Sequence, residues 1–146
     1  MQPNNSLDET NKLNLTIAYL NILQNIIGRM STYVLAIKTA SITTLTALLA
    51  FSASDNVCFQ WWVFIIPWAF FVGFHAFFLR LERAFRKIYN VVTEDNNITL
   101  SSLKIDEQKI KSAAPSFIKV LCSMPLATFH SFLLIIISVS YFFLGN

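Results

Sequence analysis

The sequence predicts an all-α integral membrane protein: three transmembrane helices, arranged as a hairpin plus a third span, a long N-terminal cytoplasmic helix, and a helical cytoplasmic segment between spans two and three. Three observations carry this reading. The 146 residues are 55% hydrophobic and only 13% charged, with a mean hydropathy of +0.55, which is too apolar for an ordinary soluble domain of this length. Three stretches meet the length of apolar helix that a bilayer requires. The basic residues are segregated to one side of those stretches.

Taken in chain order, "MQPNNSLDET" lacks the basic start, apolar core and cleavage site of a signal peptide, so it is expected to remain in the mature chain. "SLDE" has the spacing of a capping box, Ser6 accepting from a free N–H and Glu9 reaching back, so a helix is expected from about Leu7. Leu13, Ile17, Leu20, Leu23, Ile27 and Met30 share one face, widened by Leu15, Ile22 and Ile26, while Asn14, Asn21, Asn25 and Gly28 mark another. No proline intervenes, so one helix over 7–52 is expected, bent if anywhere at Gly28. The 7–32 part carries few charges and needs a partner: the 81–120 segment, a second copy, or the membrane surface.

Span one is placed at 33–53. Lys38 interrupts it, but only "SDNVCFQ" separates it from the next apolar run, and so short a connection makes an antiparallel hairpin in which Lys38 snorkels to the headgroups. Ala36, Ala40, Ala47 and Ala50 form a small-residue stripe suited to close helix packing, and Thr39, Thr43 and Thr46 form a hydroxyl stripe beside it, suited to packing or to lining a narrow aqueous path. Span two, 61–79, has 19 residues, enough for about 28 Å of helix. Pro67 is expected to kink it, and Gly73 to admit a neighbouring helix.

The cytoplasmic segment, 80–123, opens with "RLERAFRK", where Leu81, Phe85, Ile88 and Val92 keep helical spacing and Glu82 can pair with Arg86. "TEDNN" ends that helix, "ITLSSLKI" has mixed strand and loop character, and "DEQKIKSAAPSFIKVLCSMP" reads as a short charged helix broken at Pro115. Span three is placed at 126–144, and the whole is read as one membrane domain over 1–146.

Charge sets the orientation. Of the 11 Lys and Arg, Lys12, Arg29 and Lys38 lie at or before the start of span one, and Arg80, Arg83, Arg86, Lys87, Lys104, Lys109, Lys111 and Lys119 lie between spans two and three. The loop at 54–60 and the tail "GN" have none. The N-terminus is therefore expected in the cytoplasm and the C-terminus outside, in the periplasm of a bacterial inner membrane. Trp61, Trp62 and Phe59 then anchor span two at the outer interface, and Tyr33 anchors span one at the inner.

Candidate functional residues follow from polar groups in apolar surroundings. His75, His130 and Lys38 fall in one layer near the cytoplasmic leaflet. Each histidine either bonds a carbonyl or a hydroxyl such as that of Ser41 or Thr128, or belongs to a proton-sensitive or ion-facing ring in an oligomer. Lys38, Thr39, Thr43, His75 and His130 are accordingly the pore or gate candidates. Arg29, Arg80, Arg83, Arg86 and Lys87 are the candidates for sensing or lipid contact, serving either as a stop at anionic headgroups or as a site for a phosphate-bearing ligand or partner. Cys58 and Cys122 fall a membrane thickness apart, which argues against an intrachain bridge and leaves intermolecular pairing of Cys58. The two Cys and two His lack metal-site spacing, so no metal and no cofactor is expected. There is no glycine-rich phosphate loop, HExxH or GxSxG, and the serines and histidines have no acid to orient them, so no enzymatic activity or catalytic residue is expected. The net charge of +3 is accounted for by topology, and no DNA binding is expected. Asn97-Ile98-Thr99 is a glycosylation sequon on a segment expected in the cytoplasm, where it would be silent.

"NILQNIIGRMSTYVLAIKTASITTLTALLA" followed by "FFLRLERAFRKIYNVV" resembles a family of small bacterial membrane proteins with an IQ-x-x-I-x-R-M approach to the first span and a YLRLERxFRxLY exit from the second. Gln24, Ile27, Arg29, Met30, Lys38, Leu79, Arg80, Leu81, Glu82, Arg83, Phe85, Arg86 and Tyr89 carry the resemblance, which covers residues 20–92; the third span matches only in position. Where the family has an acid just before the second motif this chain has His75, which puts any charge pair with Lys38 in question. The architecture is similar to that of transmembrane effectors of anti-phage defence systems. That similarity implies a homo-oligomer among membrane lipids that permeabilises or depolarises the membrane when a cytoplasmic signalling protein or cyclic nucleotide triggers it. Two other expectations stand beside it: a non-conducting anchor for a soluble partner, and a small proton-coupled transporter or channel subunit.

Overall fold

A computed structural model describes the backbone over residues 4–54, 60–94 and 103–144, and side chains over 8–54, 60–94 and 103–143. The helices are α1 (Asn4–Ser52), α2 (Trp61–Glu94), α3 (Glu107–Ala113), α4 (Phe117–Leu121) and α5 (Met124–Leu144), with no strand among the described residues. Three of them, α1, α2 and α5, are long and apolar enough to cross a membrane.

The helix boundaries have local causes. α1 begins at Asn4, three residues before the expected Leu7, and runs unbroken through Gly28; the Ser6 side chain of the capping box lies outside the described residues. α2 continues through Pro67, which supplies no N–H to the turn before it, and passes from the apolar stretch into the basic one without interruption. Asp106 caps α3, its carboxylate accepting the Lys109 N–H at 2.7 Å. That helix stops at Ala114, held extended (φ −69, ψ 131) by the following Pro115. α5 starts at Met124 with Pro125 in its first turn, where a missing N–H is harmless. The expectations for Cys58, Phe59, most of "TEDNN", the first part of "ITLSSLKI" and the sequon fall outside the described residues; the part that is described, from Leu103, is a turn followed by irregular chain.

The chain divides into two compact units, Met1–Ser31 with Arg80–Pro115, and Thr32–Leu79 with Ser116–Asn146. In the first, Tyr19 and Leu23 of α1 pack on Phe85, Ile88 and Val92 of α2, with Leu103, Ile105 and Ile110 around them. The early part of α1 thus takes the 81–120 segment as its partner. It does so through part of the face the spacing suggested, Leu23 buried with Leu20, Ile26 and Ile27 packed around it, rotated toward Thr16 and Tyr19 in the earlier turns. Thr16, Tyr19 and Leu23 are buried, whereas Leu13 and Ile17 remain 60% and 48% exposed. Further apolar residues flank that face, so the bulk of the partner sets the final rotation. Thr16 is tolerated inside because its hydroxyl donates to the Lys12 carbonyl at 2.9 Å. Glu82, also buried, accepts from the Arg86 guanidinium at 2.7 Å, the pairing the i,i+4 spacing implied.

The second unit has two apolar clusters, one of Leu45, Phe64, Leu133 and Ile137, the other of Ala76, Val120 and Leu126. Leu126, His130, Leu133 and Ile137 recur on α5 at intervals of four, three and four, which is one helix face. His130 therefore points into the unit with its apolar neighbours. On α2, Trp68, Val72, His75 and Leu79 recur in the same way.

Candidate functional site

His75 of α2 and His130 of α5 meet inside the second unit. The two are 1% and 3% exposed, and His75 Nδ1 lies 3.0 Å from His130 Nε2. Residues 55 apart in sequence thus form one hydrogen-bonded pair. Neither ring uses the hydroxyls that the sequence offered. Ser41 donates to the Ile37 carbonyl at 2.7 Å and Thr128 to the Met124 carbonyl at 2.7 Å, each satisfied within its own helix. The outer ring nitrogens, His75 Nε2 and His130 Nδ1, are buried with no hydrogen-bond partner among the described residues.

Two aromatic side chains hold the pair. The Trp68 indole N–H donates to the His130 carbonyl at 3.3 Å, tying α2 to α5 about two helix turns from His75. Phe129 lies edge-on to both imidazoles, with centroids 6.1 Å from His75 and 5.0 Å from His130. The Lys38 ammonium of α1 sits over the same Phe129 ring, 5.5 Å from its centroid. Lys38, His75 and His130 are thereby gathered around one phenylalanine. Trp68 and Phe129 were not singled out by the sequence. A tryptophan inside the apolar run, away from the Trp61 and Trp62 pair at its end, was the available signal, since a buried indole needs an acceptor.

Comparison with family models, with curated proteins and with solved structures finds no match.

Thr39 and Thr43 are not part of the histidine cluster. They are exposed, and with Thr32, Leu35, Ala36, Ala40 and Thr44 they line an open groove of about 590 Å³ along α1. The Thr39 hydroxyl donates to the Leu35 carbonyl at 3.2 Å, which leaves its oxygen able to accept from outside. Of the basic candidates, Arg29, Arg86 and Lys87 are exposed, whereas Arg80 and Arg83 are half-buried. Arg80 is engaged structurally, its Nε–H donating to the Pro115 carbonyl at 2.9 Å. Arg86 holds Glu82. Among the described residues no three His, Cys, Asp or Glu side chains gather as a metal centre requires.

Proposed function

We propose that this chain is a bacterial inner-membrane effector that assembles into an oligomer through α1 and permeabilises the membrane when a cytoplasmic partner or nucleotide signal reaches it, as in anti-phage defence. The observation that carries the reading is the exposed hydroxyl and small-residue face of α1, Thr32 to Thr44, on a helix apolar enough to span a bilayer. Hydroxyls and alanines gain little from lipid; they favour a closely packed second helix or water. Elsewhere on the long helices, bulky residues such as Phe70, Phe132, Ile135 and Phe142 are exposed, as lipid-facing residues are. Only 17%, 17% and 22% of the most apolar windows of α1, α2 and α5 is buried inside the protein. The defence setting rests on the YLRLER-like resemblance, and the orientation, with N-terminus in the cytoplasm, on the distribution of Lys and Arg.

The exposed Arg29, Arg86 and Lys87 are the surface at which an anionic signal or lipid headgroup would act. A second reading, a non-conducting anchor, draws on Leu13, Leu15, Ile17 and Ile22, which remain 48–60% exposed outside the expected span and suit a soluble partner. Membrane potential separates the two. Induced expression in a bacterial host, with and without phage challenge, is followed with a potential-sensitive dye. The effector reading expects depolarisation that Thr39→Val with Thr43→Val diminishes. An unchanged potential under both conditions favours the anchor.

A further inference from the structure

The histidine pair has a property that neither assembly nor anchoring uses. In a neutral pair one of the two facing nitrogens, His75 Nδ1 or His130 Nε2, carries the bridging hydrogen and the other accepts it. If His75 Nδ1 donates, its Nε2 is a bare lone pair and His130 Nδ1 carries an N–H; if His130 Nε2 donates, the two outer roles exchange. Either way the pair presents one acceptor and one donor at its two ends, and those are the two buried nitrogens without a partner among the described residues. The charged group that faces both rings is Lys38, from α1, and the neighbouring faces of α2 and α5 offer Trp68 and Phe129, which do not titrate.

We propose that His75 and His130 form a proton relay inside the membrane-crossing unit, with the hydrated proton as its ligand. When local opening admits water to the buried pair, a proton carried by that water adds to the outer lone pair of His75 Nε2 and forms an N–H bond. The bridging hydrogen passes from His75 Nδ1 to His130 Nε2. The N–H bond at His130 Nδ1 breaks and its proton leaves to water. Each ring ends with one hydrogen, as the opposite tautomer, and no electrons are exchanged. A second proton in the same direction requires both rings to turn over first, so the relay passes protons one at a time and admits no metal cation. Both rings come from one chain, so the relay needs no oligomer and stands apart from the α1 assembly.

The test uses the full chain in sealed phospholipid vesicles with a trapped pH dye, an imposed potential to drive protons inward, and a parallel measurement of potassium flux. Wild-type protein is expected to carry protons, and His75→Gln and His130→Gln, each keeping a polar side chain of similar size, to lower that flux at least tenfold without altering potassium flux. To separate misfolding of a variant from loss of the relay, wild-type protein with 15N-labelled histidine is also examined by NMR for the N–N scalar coupling that a shared N–H···N bond produces. Proton flux that survives the double variant, a wild-type chain that carries no protons, or the absence of the coupling would each overturn the relay.

Discussion

One hydrogen bond and two ion pairs, each made by single side chains, show how far a residue's surroundings set its worth. Trp68 spends its one donor on the His130 carbonyl. Trp68→Phe keeps most of the ring and removes that donor, so a loss of about 1 kcal/mol is expected, read from the unfolding midpoint in mixed micelles. Glu82 and Glu107 both pair with a cation four residues on, yet the Glu82 side chain is 11% exposed and the Glu107 side chain 81%. Arg86→Ala strands a nearly buried carboxylate and is expected to cost about 1–2 kcal/mol. Lys111→Ala removes a solvated pair and is expected to cost no more than about 0.5 kcal/mol. Denaturant titration of the two variants side by side checks the contrast; equal losses would mean that Glu82 is as well hydrated as Glu107. At this scale the Glu82–Arg86 pair was legible, because i,i+4 spacing on a helix dictates it. The His75–His130 pair was legible only as two polar residues at similar depth, since contact between residues 55 apart depends on the rotation and register of two helices, which no local pattern encodes.

Among the elements, α2 was the most readable and α1 the least. The run from Trp61 to Glu94 contains no glycine pair, no internal cap and only Pro67 as a breaker, so apolar and basic parts had to share one helix. α3 and α4 were readable as a helix broken at Pro115, because the residue before a proline is driven to extended backbone. α1 was legible in length and, from Leu20 to Ile27, in its buried side, but not in the rotation of its earlier turns. Its apolar residues point in several directions, and the buried stripe is fixed by Phe85, Ile88 and Val92 of α2, which lie far off in sequence. Leu23 is fully buried, so Leu23→Ala is expected to cost about 2–4 kcal/mol through lost transfer energy and a residual cavity. Leu13→Ala, at a 60% exposed position, is expected to shift stability by less than about 0.5 kcal/mol while weakening any association made through that face. Thermal unfolding together with sedimentation of both variants separates these effects. A large stability loss from Leu13→Ala would extend the buried face back to the first turns, as the spacing first suggested.

For the whole molecule, the lengths of three apolar runs announced three apolar helices, and the structure has them. Two kinds of cohesion are then expected in one chain. The unit built from Tyr19, Leu23 and Phe85 gains from removing apolar surface from water. The unit built from Leu45, Phe64 and Leu133, if surrounded by lipid, must rely on close packing and on bonds such as Trp68 to His130, because lipid tails are as apolar as leucine. Orientation is a separate expectation: cytoplasmic reporters fused at the N-terminus should be active and those fused at the C-terminus silent, with the reverse pattern contradicting the charge argument. The central claim is assembly through the threonine face of α1. The most direct measurement is native mass spectrometry of the protein released from lipid nanodiscs, comparing wild type with Thr39→Val and Thr43→Val combined. A closed ring of four or more copies, lost or reduced in the variant, is the predicted result; a monomer in wild type, before and after phage challenge of the cells it is taken from, would contradict it.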